Sequence, residues 1–381
     1  MDYDFILKGG TLIDPYQGIN GPKDIAFKDG VVADLCDAVS GRTTGGELDC
    51  TGFYVSPGFI DLHVHVFWGV GRHGISPDAH CLSKGVTTIL DAGTCGADTF
   101  PGFKKYIVQN SSTRVLAYLH ISSIGILNRE VGELKNMDYA NAARALETIK
   151  ANRDVIKGVK VRLTQKLIED SAGLKPLAIA REVADHAELP VMVHPQNADC
   201  DSLDRILDLL RKGDILTHCF HPKECGILDK EGQLRPSVKA AQQRGIVFDV
   251  GHGRGSFSWR VVEAAIKQGF YPDTISSDLH AFNTDGPVYD LPTTLSKFLY
   301  LKLPLQEVIA KATDGPAKAL GMSGQIGTLK PGARGDAVVF KLIQGKFDYA
   351  DSRDRHRIGD KRIIPIYVIK DGKPFNISYQ I

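Results

Sequence analysis

Pro57-Gly58-Phe59-Ile60-Asp61-Leu62-His63-Val64-His65 starts on a turn signal, runs through apolar residues and ends on two histidines two positions apart. Alternate side chains of a strand share a face, so His63 and His65 project the same way. Two imidazoles on one face at the end of an apolar strand make a poor core and a good metal site. Taken alone, a His-x-His pair fits a solvated sheet edge equally well. Its meaning therefore depends on what surrounds it.

From this stretch onward, strand-like segments alternate with amphipathic ones. Candidate strands occupy residues 59–65, 87–92, 114–121, 155–162, 190–195, 214–219, 245–250 and 274–279. Helical patterns at 138–152, 176–188, 201–212, 235–244 and 258–269 fall between them. This alternation is the sign of a parallel sheet with crossover helices. Eight such strands favour a closed (β/α)8 TIM barrel over an open sheet, and the fold class is α/β.

The chain ends read differently. Asp4–Lys8, Thr11–Ile13 and Asp24–Phe27 are separated by Gly9-Gly10 and Asp14-Pro15 and followed by Lys28-Asp29-Gly30. Near the other end, Asp336–Leu342 and Ile363–Ile369 lead to Lys370-Asp371-Gly372. Both ends predict β-hairpins. Residues 1–54 and 323–381 are thus expected to form one composite β-sandwich domain beside a barrel over 55–322.

Composition narrows the functional classes. A formal charge of +1 leaves no electrostatic footprint for nucleic acid or a membrane surface, and 43% hydrophobic residues are ordinary for a soluble enzyme. No apolar run reaches the ~18 residues of a membrane span. Met1-Asp2-Tyr3-Asp4 lacks the basic start and apolar middle of a signal peptide. The seven cysteines are scattered without Cys-x-x-Cys spacing and read as free thiols. A cytoplasmic protein acting on a small molecule is expected, with homo-oligomerisation left open.

Chemistry in a TIM barrel gathers at the C-terminal ends of the strands. There the sequence places His63 and His65, then Lys160 within Gly158-Val159-Lys160-Val161-Arg162. His194 closes Val191-Met192-Val193-His194, His218 closes Leu216-Thr217-His218, and Asp278 closes Ile275-Ser276-Ser277-Asp278. Several strand ends agreeing tips the balance to a metal site. By the same alternation, Phe67, Arg162, Gln196, Phe220 and His280, each two residues beyond one of these positions, are expected to line a substrate pocket. Phe67, Trp68 and Phe220 would form an aromatic wall. Arg162 suits either a substrate carboxylate, bidentately, or a clamp on the lysine. Arg72 and His73, in the glycine-rich loop after the first strand, are candidates to close over the substrate.

These motifs together resemble those of the amidohydrolase superfamily, most of all its binuclear amidohydrolase and deacetylase branch, which is grouped with dihydroorotases. The resemblance covers nearly the whole chain. It implies two divalent metal ions, usually zinc, with His63, His65 and Asp278 around the inner one and His194 and His218 around the outer one. It also implies that Lys160 bridges both as N6-carboxylysine. Carboxylation turns an ammonium into an anionic oxygen ligand, and burial among Val159, Val161 and Leu163 lowers the lysine pKa and favours it. The implied catalyst is a metal-bridging hydroxide that attacks a carbonyl, with Asp278 taking and returning the proton. A Gly-His-Gly segment facing the site in this branch makes His252 a further substrate-binding candidate.

Similar proteins hydrolyse O-acetyl esters of aromatic 2-hydroxy acids. The expected reaction is therefore hydrolysis of an ester or amide, deacetylase-type, on a small carboxylate-bearing aryl substrate. The alternatives are a cyclic amidase of the dihydroorotase or hydantoinase kind, a deaminase, and a non-catalytic scaffold. Two departures bear on these. Dihydroorotases place a substrate-gripping arginine where this chain has Phe67, and His194 is followed by Pro195-Gln196-Asn197.

Overall fold

The computed structural model describes residues 2–195 and 203–375. Parallel strands Phe59–Val64, Val86–Gly96, Arg114–His120, Ile156–Arg162, Val191–His194, Ile215–Leu216 and Val247–Phe248 pair in chain order into a seven-stranded sheet. The eighth expected strand, 274–279, is irregular. It still bridges Asp249 to Thr274 on one side and Val64 to Leu279 on the other, both in parallel, and so closes the ring.

The irregularity has a cause. The Ser277 amide donates to the Asp61 carboxylate at 2.9 Å, and Ser276 Oγ accepts the Gly251 amide at 2.9 Å. These side chains replace part of the ladder at the seam. The barrel is of the expected TIM type, with its last two strands reduced to a few bonds.

The outer helices follow the expected positions closely. Lys175–Ala187 carries Pro176 in its first turn, where a missing amide costs nothing. It buries Leu177, Ala180, Val183, Ala184 and Ala187 along one stripe against the sheet. Among the described residues, no helix is long and apolar enough to cross a membrane. Cys36, Cys50, Cys81, Cys95, Cys219 and Cys225 are free thiols.

The two chain ends meet in one eight-stranded mixed sheet with a continuous ladder. Tyr54–Pro57 sits at its centre, between Phe5–Asp14 and Ala337–Ala350. Its chain passes directly into the first barrel strand through Gly58. A side chain there would meet Thr87 Oγ1 at 2.2 Å, so only glycine fits the crossing.

Two expectations are corrected. Phe5–Asp14 is one strand, and Gly9-Gly10 forms a bulge in it rather than a turn, with Gly9 at φ +70° and its amide held by Asp24 Oδ1 at 2.9 Å. The C-terminal hairpin also runs further than its apolar core, over Ala337–Ala350 and His356–Lys370. Arg114 ties this sheet to the barrel through Asp336 and, at 2.8 Å, Asp371 Oδ1.

Candidate metal centre

His63, His218 and Asp278 bring their ligand atoms within 4.8 Å of one another at the C-terminal mouth of the barrel, and all three are buried. His65 joins them with Nε2 at 3.2 Å from Asp278 Oδ1, and His63 Nε2 lies 3.5 Å from the same oxygen. The His194 ring is 4.2 Å from that of His218. Lys160 Nζ reaches to 3.4 Å from His63 Nε2. The structure thus brings together every residue that the sequence nominated as a ligand.

The imidazoles are set up as donors of electron pairs. His218 Nδ1–H donates to the Gly251 carbonyl at 2.6 Å, which leaves Nε2 bare. His63 reaches the same state by a relay. The Thr217 hydroxyl spends its proton on Asp249 Oδ2 at 2.8 Å, so it accepts from His63 Nδ1–H at 2.8 Å. His65 is held similarly, with Nδ1 at 2.8 Å from Thr94 Oγ1, and the Thr94 amide donates to Asp91 Oδ1 at 2.7 Å. Fixing one ring nitrogen in this way orients the other toward a ligand.

Burial pushes the pKa values of His63, His65 and His194 well below the ordinary imidazole range and that of His218 to about 3. Neutral imidazoles with bare nitrogens, a carboxylate and a lysine fit a divalent metal site by donor chemistry.

Two of the ligand positions use unusual backbone. His218 has φ +63° and Asp278 φ +49°, left-handed conformations that non-glycine residues rarely adopt. The surroundings enforce them. Gly251 lies against Thr217 and His218, and Gly253 against the Asp278 carboxylate, each so closely that no Cβ would fit.

The substrate-facing expectations fare unevenly. Phe67 and Phe220 do not line the mouth. Phe67 packs on Phe103 with ring centroids 5.3 Å apart, and Phe220 is buried among Phe257, Phe270 and Phe298. Side-chain alternation holds only for extended backbone, and here the strands have ended before these residues.

His252 does not offer a substrate contact either. Its Nδ1–H donates to Gly253 O at 2.9 Å, its Nε2 accepts from Lys297 Nζ at 2.7 Å, and its ring stacks on Phe257. No ring nitrogen is left for a substrate. Gln196 lies outside the described residues.

Arg162 and His280 do stand near the metal ligands. Arg162 Nη2 pairs with Glu133 Oε1 at 3.0 Å, while Arg162 Nε and Glu133 Oε2 are buried without a hydrogen-bond partner among the described residues. His280 lies 5.3 Å from His73 and 6.3 Å from His65, ring to ring. His73 Nδ1 is also buried without a partner. The aromatic groups at the mouth are Phe282, which is 43% exposed and edge-on to His73 and His280, and Trp68, which is 54% exposed.

Sequence reasoning missed Asp91, Asp249, Thr94, Thr217, Glu133, Lys297 and Phe282. The two aspartates carried a signal, since each interrupts an apolar strand (Leu90-Asp91-Ala92 and Phe248-Asp249-Val250). Lys297 carried a weaker one, as a lysine between apolar neighbours of the helix Leu291–Tyr300.

Fold and site together define a barrel hydrolase. The chain belongs to the amidohydrolase family, whose model matches residues 54–375. A deacetylase of Enterococcus faecalis is 36% identical over 380 residues, covering 99% of this chain and 100% of that protein. Among solved structures, an adenine deaminase superposes with TM-score 0.92 at 35% identity, covering 98% of this chain and 100% of its own. A dihydroorotase does so with TM-score 0.89 at 30% identity, covering 98% and 99%. The family generally binds divalent metals. The relatives' names diverge in chemistry, so the finer reaction has to be argued from the site.

Proposed function

We propose that this protein is a binuclear metal-dependent hydrolase that removes an acyl group, deacetylase-type, from an ester or amide of a small carboxylate-bearing aryl substrate. The observation that carries this reading is the convergence of His63, His65, His194, His218, Lys160 and Asp278 at one barrel mouth, all but His194 buried. His63, His65 and Asp278 would hold an inner ion, His194 and His218 an outer one, and Lys160, carboxylated, would bridge them. Two such ions, zinc in the simplest case, supply Lewis acidity that acidifies water and polarises the scissile carbonyl.

The chain's own groups do the rest. Asp278 accepts the proton of the attacking water and returns it to the leaving group. Arg162 Nε and the His73–His280 pair are the polar atoms left to orient a substrate, because each retains an unspent donor or sits against one. Glu133 already neutralises one edge of Arg162, so a substrate carboxylate would bind the guanidinium by its remaining edge rather than by the full fork. Phe282 and Trp68 provide aromatic surface at the rim.

A dihydroorotase-like reading is disfavoured, because Phe67 is part of the apolar core and offers no cation at that position. A deaminase reading is disfavoured because the mononuclear deaminases of the superfamily have no use for a bridging lysine.

The test is a substrate panel of O-acetylmandelate, dihydroorotate and adenine with zinc- and bicarbonate-treated protein. Hydrolysis of the ester alone is expected. Ring opening of dihydroorotate or release of ammonia from adenine, without ester cleavage, would overturn the acyl reading.

A pH effect follows from Lys160. Burial, opposed by Asp278 and aided by Arg162, lowers its pKa to about 7. Carboxylation consumes the neutral amine, which exists above that pKa. At fixed dissolved CO2, reactivation of metal-free protein by zinc should quicken about tenfold between about pH 6 and pH 8 and then level off. A rate still rising in proportion to hydroxide near pH 10 would mean that Lys160 behaves as an ordinary exposed lysine.

A further inference from the structure

His120 ends the third barrel strand in register with Lys160 on the fourth, and both side chains are buried. The Ser122 amide donates to His120 Nδ1 at 3.0 Å. That nitrogen is therefore the acceptor, and the ring proton resides on Nε2. Among the described residues Nε2 has no hydrogen-bond partner, although His120 is 0% exposed. A buried donor left unpaired is costly, and native proteins rarely tolerate one without a use for it.

Its neighbour has the same deficiency. Among the described residues, Lys160 Nζ makes only two long contacts, at 3.4 Å to His63 Nε2 and at 3.4 Å to Met192 Sδ. Two buried donors thus lie on adjacent strands with too few acceptors among the described residues.

Gly93 explains how they come so close. It has φ +84°, and a Cβ there would lie 2.6 Å from Lys160 Cγ and 3.3 Å from His120 Cδ2, the carbon bonded to Nε2. The absent side chain leaves one shared slot for the lysine stem and the imidazole edge.

Resting on the reading of Lys160 as a carboxylated lysine, we propose that His120 is the positioning residue of that group, donating Nε2–H to a carbamate oxygen. In the step itself, the neutral Lys160 amine attacks the carbon of CO2. A nitrogen–carbon bond forms, one carbon–oxygen π bond becomes an oxygen lone pair, and the amine loses a proton to water. The product is an acceptor where a donor had been. The lone Nε2–H of His120 then gains a charged partner, and the carbamate plane is fixed for two metals.

The test does not depend on turnover. Metal-free full-length protein is treated with zinc and 13C-bicarbonate, and carbamate is read by 13C NMR alongside zinc content, for wild type, His120→Leu and His120→Gln. Circular dichroism checks that the variants fold. Wild type should show one carbamate signal. His120→Leu should need on the order of tenfold more bicarbonate for half-maximal labelling, as expected for losing a hydrogen bond to a charged group. His120→Gln, which keeps a donor, should recover part of that loss.

An unchanged bicarbonate requirement in folded His120→Leu would overturn the role of His120 while leaving the carboxylated lysine intact. Equal impairment of both variants would reduce His120 to packing. Absence of a carbamate signal from zinc-loaded wild type would remove the underlying reading of Lys160, and with it this inference.

Discussion

Lys160→Met should fold normally, bind at most one metal ion per chain, and lose on the order of 10^3 or more in kcat, a loss that no bicarbonate concentration restores. Methionine retains the unbranched stem in a slot where Lys160 is buried beside Met192. It removes only the amine, whose burial was a cost. Thermal stability is therefore expected to stay level or rise slightly, which separates the chemistry from the fold. The loss arises because two metal ions need an anionic bridge between them, and no carboxylate on the neighbouring strands replaces it. Asp278 already serves His63 and His65. Stabilisation of transition-state charge by metal ions is worth several kcal/mol, and each 1.4 kcal/mol is tenfold in rate. Metal analysis together with turnover of the preferred ester checks this. A variant that keeps two ions and near-normal turnover would make Lys160 a buried neutral amine with no part in the centre.

What the sequence disclosed about this site, and what it withheld, follows from how far periodicity reaches. His63, His65, Lys160 and His194 are polar positions in or at the end of largely apolar strands, and an alternating pattern exposes them at once. His218 and Asp278 were legible as ends of shorter apolar runs. Beyond them the alternation holds for Arg162 and His280 and breaks for Phe67 and Phe220. At His218 the backbone turns into the left-handed region, so a count of two residues no longer returns a side chain to the same face. Phe220 swung into the aromatic core instead, 6.1 Å from Phe270.

The His63–Thr217–Asp249 relay was illegible for a different reason. His63 and Thr217 are 154 positions apart, and only ring closure brings them together. Glu133 lies in an irregular segment between strands, where no pattern marks a residue as buried. The chain ends show the opposite error. Local chemistry favours a turn at Gly9-Gly10, and the pairing of Phe5–Asp14 with Ile19–Lys28 overrides it.

Gly253→Ala is expected to cost activity far more than stability, by about 10^2-fold or more in kcat against roughly 1–2 kcal/mol of folding free energy. Gly253 has φ +51°, and an added Cβ would lie 2.2 Å from Asp278 Oδ2. The main chain cannot simply move aside. The Gly253 amide donates to Ser277 O at 2.9 Å, and its carbonyl accepts His252 Nδ1–H at 2.9 Å. His252 is in turn held by Lys297, whose Nζ also donates to Pro287 O and Ala350 O, both at 2.8 Å. The flexible partner is the Asp278 carboxylate, so it would rotate away from His63 and His65. That displaces both an inner-metal ligand and the proposed proton carrier. Gly255, in the same loop, has open space where a Cβ would go and no left-handed backbone. Gly255→Ala is the matched control and should be nearly silent. If Gly253→Ala retained both metal content and turnover while Gly255→Ala did the same, the carboxylate of Asp278 would not depend on the loop that His252 and Lys297 hold in place. The buried lysine–histidine pair would then serve the fold alone.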